Sequence, residues 1–182
     1  MNFCLWITGK PGSGKSTISR KLEQVLVEAG IKVMTLNLDQ IRKVLTPEPK
    51  YTDEERELVY RSLVLMAQLM VEHGGKNVII DATGNRRRFR DLARQLISEF
   101  AEVYVKCPLE TCQTREASRN GQSAEKSLYK KAKADQLEGN LPGVSTPYED
   151  PENPEVQVPS DRLTPHESAK MIMDYVRSRW MK

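Results

Sequence analysis

The segment Gly9-Lys10-Pro11-Gly12-Ser13-Gly14-Lys15-Ser16 constrains this chain more than any other. It fits G-x-x-x-x-G-K-[ST] at every position, after the apolar run Phe3–Thr8 and at the head of a helical apolar pattern. A glycine-rich turn between strand and helix lets main-chain N–H groups point at an anion. The helix N-terminus adds roughly half a positive charge. Gly9, Gly12, Ser13, Gly14 and Thr17 are therefore expected to cradle phosphate, with Lys15 as a point charge on its oxygens and Ser16 as a Mg²⁺ ligand. The expected ligand is a nucleoside triphosphate.

The remaining pattern alternates strand and helix. Ile18, Leu22, Val25, Leu26 and Ala29 share one helical face, stopped by Gly30. Lys32–Leu38 reads as a second strand. Thr52 and Glu55 make a capping box for a long helix that is expected to bury Leu58, Leu65, Met66 and Leu69 and to end near Gly74-Gly75. Asn77–Ala82 is the third strand. Leu92, Leu96, Ile97 and Phe100 stripe the next helix, and Glu102–Cys107 and Glu155–Val158 read as the fourth and fifth strands. Thr164, Pro165 and Glu167 open a final helix striped by Ala169, Ile172, Met173, Val176 and Trp180. Such alternation predicts an α/β, three-layer P-loop fold, a parallel sheet of about five strands flanked by helices. One domain is expected over 1–182, with a glycine- and proline-punctuated flap at about 112–150.

Charge and cysteine content exclude other classes. The 28 Lys+Arg and 25 Asp+Glu leave a formal charge of only +3, so bulk attraction to nucleic acid is not expected. The three cysteines, Cys4, Cys107 and Cys112, match no zinc spacing and suit a reducing, cytoplasmic setting. No apolar run approaches the roughly 18 residues of a membrane span.

Two acids favour a small kinase over a GTPase, for which no N-K-x-D sequence is present. Asp39, at the end of the second strand, can orient or deprotonate an acceptor hydroxyl, and Arg42 behind it can hold an acceptor anion. A helix cap and a surface arginine are the plainer reading of that pair. Asp81 ends the third strand, where a carboxylate commonly serves the Mg²⁺ shell; a strand-end turn residue is its plainer reading. Arg86, Arg87, Arg88, Arg90 and Arg94 cannot all face one ligand, so most are expected on the solvated surface.

Leu128-Tyr129-Lys130-Lys131-Ala132 and Pro147-Tyr148-Glu149-Asp150-Pro151-Glu152-Asn153-Pro154-Glu155 carry a more particular signal. With Leu36–Arg42 and Val103–Glu110, they resemble the adenylylsulfate kinase family over about Phe3–Val158. The resemblance implies transfer of the γ-phosphate of ATP, with Mg²⁺, to the 3′-hydroxyl of adenylylsulfate. It implies Asp39 as catalytic carboxylate and Arg42 and Arg56 as substrate arginines. Lys130 then belongs to the flap, Tyr51 stands where the family has a phenylalanine against the substrate adenine, and Arg115 packs on the ATP adenine. Thr83, Arg86 and Leu141 fall at further substrate-side positions. Several positions depart from the family: D-G-D-N is Asn37-Leu38-Asp39-Gln40, the asparagine after Arg56 is Val59, and I-S-P-[YF]-R is Ala82-Thr83-Gly84-Asn85-Arg86. A related kinase for another nucleotide-linked anion, a polynucleotide 5′-hydroxyl kinase and a nucleotide-binding regulatory subunit remain alternatives. The expected partner is a small-molecule nucleotide, with homodimer formation left open.

Overall fold

The computed structural model describes residues 2–119 and 147–181. Five strands, β1 (Cys4–Thr8), β2 (Val33–Asn37), β3 (Asn77–Asp81), β4 (Phe100–Lys106) and β5 (Val156–Pro159), form one parallel sheet in the order β2-β3-β1-β4-β5. Between them run α1 (Lys15–Glu28), α2 (Leu38–Leu45), α3 (Asp53–Gln68), α4 (Arg87–Leu96) and α5 (Leu109–Arg119), and α6 (Pro165–Trp180) follows β5. The chain leaves β1 toward β2 on one side and returns through β3 to β4 on the other. That reversal puts the carboxyl ends of β1 and β3 at a topological switch point, where open α/β sheets bind ligands. Among the described residues, no helix is long and apolar enough to cross a membrane.

Period-two alternation gives the sheet two apolar faces. Trp6 and Ile80 face a layer with Val59, Leu63 and Phe89. Leu5 and Ile7 face the opposite layer, with Leu22, Val103, Ile172 and Met173. The strands match the sequence reading to within two residues; β2 ends one residue early because Asn37 accepts the Gln40 N–H and caps α2, so Leu38 and Asp39 lie in a helix. At α6, Thr164 and Glu167 make the expected reciprocal box. At α3 only half forms: Thr52 accepts from Glu55 N at 3.2 Å, while the Glu55 side chain goes elsewhere.

The buried face of α3 differs from expectation. Leu58, Leu65 and Leu69 are 64%, 52% and 51% exposed. The face that packs is Arg56, Val59, Tyr60, Leu63, Val64 and Ala67. Both sides of α3 carry apolar residues, so periodicity alone does not choose between them. The choice falls where aromatic surface is buried: the Tyr60 ring stacks on Phe89 with centroids 4.3 Å apart and lies 6.2 Å from Trp6. Met66 packs against the edge of this layer as expected. Phe100 does not extend the α4 stripe but opens β4, because Ile97 already adopts extended backbone. Leu96 and, past the end of α1, Ala29 are exposed.

Of the clustered arginines only Arg90 is buried; Arg86, Arg87, Arg88 and Arg94 reach solvent as expected, but each is held by an acidic partner. Arg86 pairs with Asp53 at 2.9 Å and Arg88 with Glu57 at 2.7 Å. Arg87 meets Glu149 and Glu152, and Arg94 meets Glu102 and Glu155. Arg90, 1% exposed, donates to Glu102, to Gly84 O and to Glu149 O. The acidic segment 149–155 is thus strapped onto α4, an arrangement invisible in a net charge. Arg90→Ala leaves the Glu102 carboxylate buried without its main partner, so a loss of about 3–5 kcal/mol is expected in urea unfolding. A loss below about 1 kcal/mol, the scale of exposed pairs, would show that the strap holds without it.

Candidate active site

After Thr8 the chain must turn sharply to enter α1, and only backbone fits the space available. A Cβ on Gly12, whose φ is +77°, would lie 2.3 Å from Cys112 O; one on Gly9 would lie 2.6 Å from Val105 O. The loop is therefore pressed against α5 and β4 from behind. Gly14 precedes α1 without a side-chain cap, so the N–H groups of Lys15 and Ser16 keep their capacity for an external anion, while the Thr17 N–H donates to Gly14 O at 3.1 Å. The Ser13 hydroxyl is buried with no hydrogen-bond partner among the described residues. Its carbonyl is held by Ser160 Oγ at 2.7 Å and by Arg115 Nη1 at 3.5 Å. Arg115 also donates Nη2 to Ser160 O at 2.8 Å, so it braces the loop as well as lying near Gly14.

Lys15 is buried and donates Nζ to Lys10 O at 3.0 Å. Burial lowers the pKa of this amine, while the nearby Asp81 and Asp39 carboxylates act in the opposite sense. Asp81 lies near Lys15 from the end of β3, and Asp39 from the first turn of α2, just past β2. Asp81 ends β3 beside Ile7 and is itself buried. Asn37, at the end of β2, donates Nδ2 to Asp81 Oδ2 at 2.8 Å while its Oδ1 caps α2. Asp39 stands exposed in the first turn of that helix. Ser16 and Thr17 occupy the first turn of α1, Ser16 half-exposed. No group of three or more His, Cys, Asp and Glu side chains converges among the described residues. One hydroxyl and one carboxylate form the kind of sparse donor set that suits Mg²⁺, which keeps waters and phosphate oxygens as ligands.

Next to the acids lies a cationic cluster. Burial lowers the pKa of Arg56, with a further contribution from Arg42 and Arg86 nearby. Arg42 pairs with Glu55 at 3.0 Å and lies over the Tyr51 ring, 5.3 Å from its centroid. Arg56 Nε donates to Tyr51 O at 3.2 Å. The segment 82–85 opposite is fixed by main-chain contacts: Trp6 Nε1 donates to Ala82 O at 3.0 Å, Thr8 Oγ1 to Thr83 O, and Gly84 N to Tyr60 Oη at 3.0 Å.

The structure thus brings Lys15, Asp39 and Asp81 to one crevice, and Arg42, Tyr51, Arg56 and Arg86 to another side of it. Thr83 contributes its carbonyl to the floor rather than a free backbone edge. Lys130 and Leu141 lie outside the described residues. Asn37, Glu55 and Tyr60 are positioning groups that the sequence reading missed. Asn37 three residues before Gln40 is a recognisable cap spacing and could have been found; the other two depend on tertiary contacts.

Comparison with known proteins identifies a family and a shared fold. The family model described as adenylylsulphate kinase matches residues 1–159. A probable adenylyl-sulfate kinase of Pyrococcus abyssi is 40% identical over 171 residues, covering 94% of this chain and 92% of that protein. The adenylyl-sulfate kinase of Halothermothrix orenii is 35% identical over 175 residues, covering 96% and 89%. Among solved structures, the Mycobacterium tuberculosis APS kinase CysC, in complex with AMPPNP and APS, is similar with a TM-score of 0.84. It shares 30% identity and covers 97% of this chain and 98% of that one.

Proposed function

This chain belongs to the adenylylsulphate kinase family, and we propose that it transfers the γ-phosphate of ATP to the 3′-hydroxyl of adenylylsulfate. The observation that carries the reading is the meeting of Lys15 with Asp39 and Asp81 at the carboxyl ends of β1 to β3, beside the arginine cluster. Phosphoryl transfer needs positioning and charge stabilisation more than covalent chemistry, and this crevice supplies both.

In this reading the N–H groups of Gly12, Gly14, Lys15 and Ser16 hold the triphosphate, with Ser13 and Thr17 shaping the loop around it, and Arg115 flanks its base. Ser16 and Asp81 would hold Mg²⁺, with Asn37 orienting the Asp81 carboxylate through its Nδ2. A Mg²⁺ ion held there would supply charge neutralisation for the phosphates. Arg42 and Arg56 hold the sulfate and phosphate of the acceptor, the Tyr51 ring meets its base, and Thr83 and Arg86 border it. Asp39 accepts the 3′-hydroxyl proton as the new oxygen–phosphorus bond forms and the bond to the β-phosphate oxygen breaks. Lys15 stabilises the negative charge left on that oxygen.

The alternative of a polynucleotide 5′-hydroxyl kinase drew on Asp81-Ala82-Thr83 and the arginines after it. Each of those arginines has an acidic partner among the described residues, so their charge is balanced locally instead of forming an unpaired basic stripe there. ADP release with ATP and Mg²⁺ tests the proposal. Adenylylsulfate should support turnover, while adenosine monophosphate, lacking the sulfate, should not. Equal rates with both acceptors would remove the sulfate-reading arginines from the account.

A further inference from the structure

Tyr51 has a backbone φ of 54°, and it is the one non-glycine residue with positive φ among the described residues. Left-handed backbone is uncommon and strained for a bulky side chain, so something must hold it there. The holding group is Glu55. Its carboxylate accepts the Lys50 N–H at 2.6 Å and a hydrogen bond from the Tyr51 main chain. The other oxygen accepts Arg42 Nη1 at 3.0 Å. Burial would raise the pKa of this acid, but the two main-chain donors and Arg42 together hold the carboxyl below its usual range.

Three consequences converge on one small region. The Tyr51 carbonyl is taken by Arg56, so both main-chain groups of Tyr51 are tied to the first turn of α3. The Tyr51 ring lies under the Arg42 guanidinium. Among the described residues, Arg42 bonds to side chains through Nη1 alone, leaving Nε and Nη2 for another anion. Glu55 also explains the half-made cap of α3. Its side chain would ordinarily reach back to the Thr52 N–H; here it is diverted to Arg42 and the turn before Thr52.

We infer that Glu55 is a positioning residue of the acceptor side, presetting the Tyr51 ring and the Arg42 guanidinium as one rigid anion- and base-binding unit. The inference rests on the reading of Arg42 and Tyr51 as acceptor-binding groups. A preset arginine loses less freedom on binding, so the effect belongs in acceptor affinity and not in ATP affinity.

Glu55→Gln replaces one acceptor oxygen with a donor that must face Arg42 Nη1 or the Lys50 N–H. The expected result is an adenylylsulfate KM raised about tenfold, with the ATP KM within about twofold of the parent, on the scale of one lost charge-assisted hydrogen bond. Added to Arg42→Ala, the same substitution should raise that KM little further. Glu55→Asp keeps the charge and should recover part of the affinity; it carries the same comparison if Glu55→Gln folds poorly. If Arg42→Ala raises the acceptor KM while neither Glu55 variant does, the inference is overturned and the acceptor reading stands. If the ATP and acceptor KM values rise together, Glu55 is merely structural and the inference is overturned. If Arg42→Ala itself leaves the acceptor KM unchanged, the acceptor reading fails and takes the inference with it.

Discussion

Lys15→Ala is expected to lower turnover by about 10²–10³-fold, the usual consequence of removing one preorganised charge-stabilising donor. The folded protein should scarcely notice. Among the described residues Lys15 Nζ makes one hydrogen bond, to Lys10 O at 3.0 Å, and its burial disfavours the charged amine. Alanine gives up the buried stem but also relieves the cost of burying an ammonium group, so the unliganded melting temperature should stay close to that of the parent. ATP should separate the two proteins. At a hundredfold excess over Kd, ligand binding stabilises the parent by about 2.7 kcal/mol, and the variant should gain far less at the same concentration. A variant that turns over normally would mean that the loop does not place Lys15 on the phosphates.

Asp39→Asn is expected to cut kcat by about 10²–10⁴-fold, the span typical of a positioned general base. The ATP KM should hold, because the loop, Ser16 and Asp81 remain. Stability should hold as well: Asp39 is exposed, and its favourable position at the start of α2 is worth only about 0.3–1 kcal/mol. Steady-state kinetics with a urea titration of the same sample checks both points. Unchanged kcat would take Asp39 out of the reaction and leave it as a helix N-terminal charge.

These two residues were legible in the sequence because their signals are local. The loop motif needs only eight consecutive residues and a strand before them. Asp39 and Asp81 follow from where apolar runs stop, even though β2 ends two residues before Asp39 and Asn37 takes the cap. What stayed hidden depends on contacts across the fold. The apolar residues Leu58, Leu65 and Leu69 suggested one face for α3, yet Tyr60 and Val59 turn the other face inward, where Tyr60 supports Gly84 and stacks on Phe89. The burial of Arg90, and the pairing of Arg87 and Arg94 with the strap, could not be read because those partners lie some 60 residues later in the chain. Glu55 read as half of a capping box, and the reason it serves another purpose is the backbone of Tyr51, which no spacing rule reports.

The central claim is that the crevice passes phosphate from ATP to a sulfate-bearing nucleotide. The most direct test supplies ATP labelled in its γ-phosphate, Mg²⁺, and equal concentrations of adenylylsulfate and a 5′-hydroxyl oligonucleotide, and asks which one carries the label. The account predicts label on the 3′-position of adenylylsulfate and an unlabelled oligonucleotide; label on the oligonucleotide's 5′-end, with adenylylsulfate untouched, would contradict it.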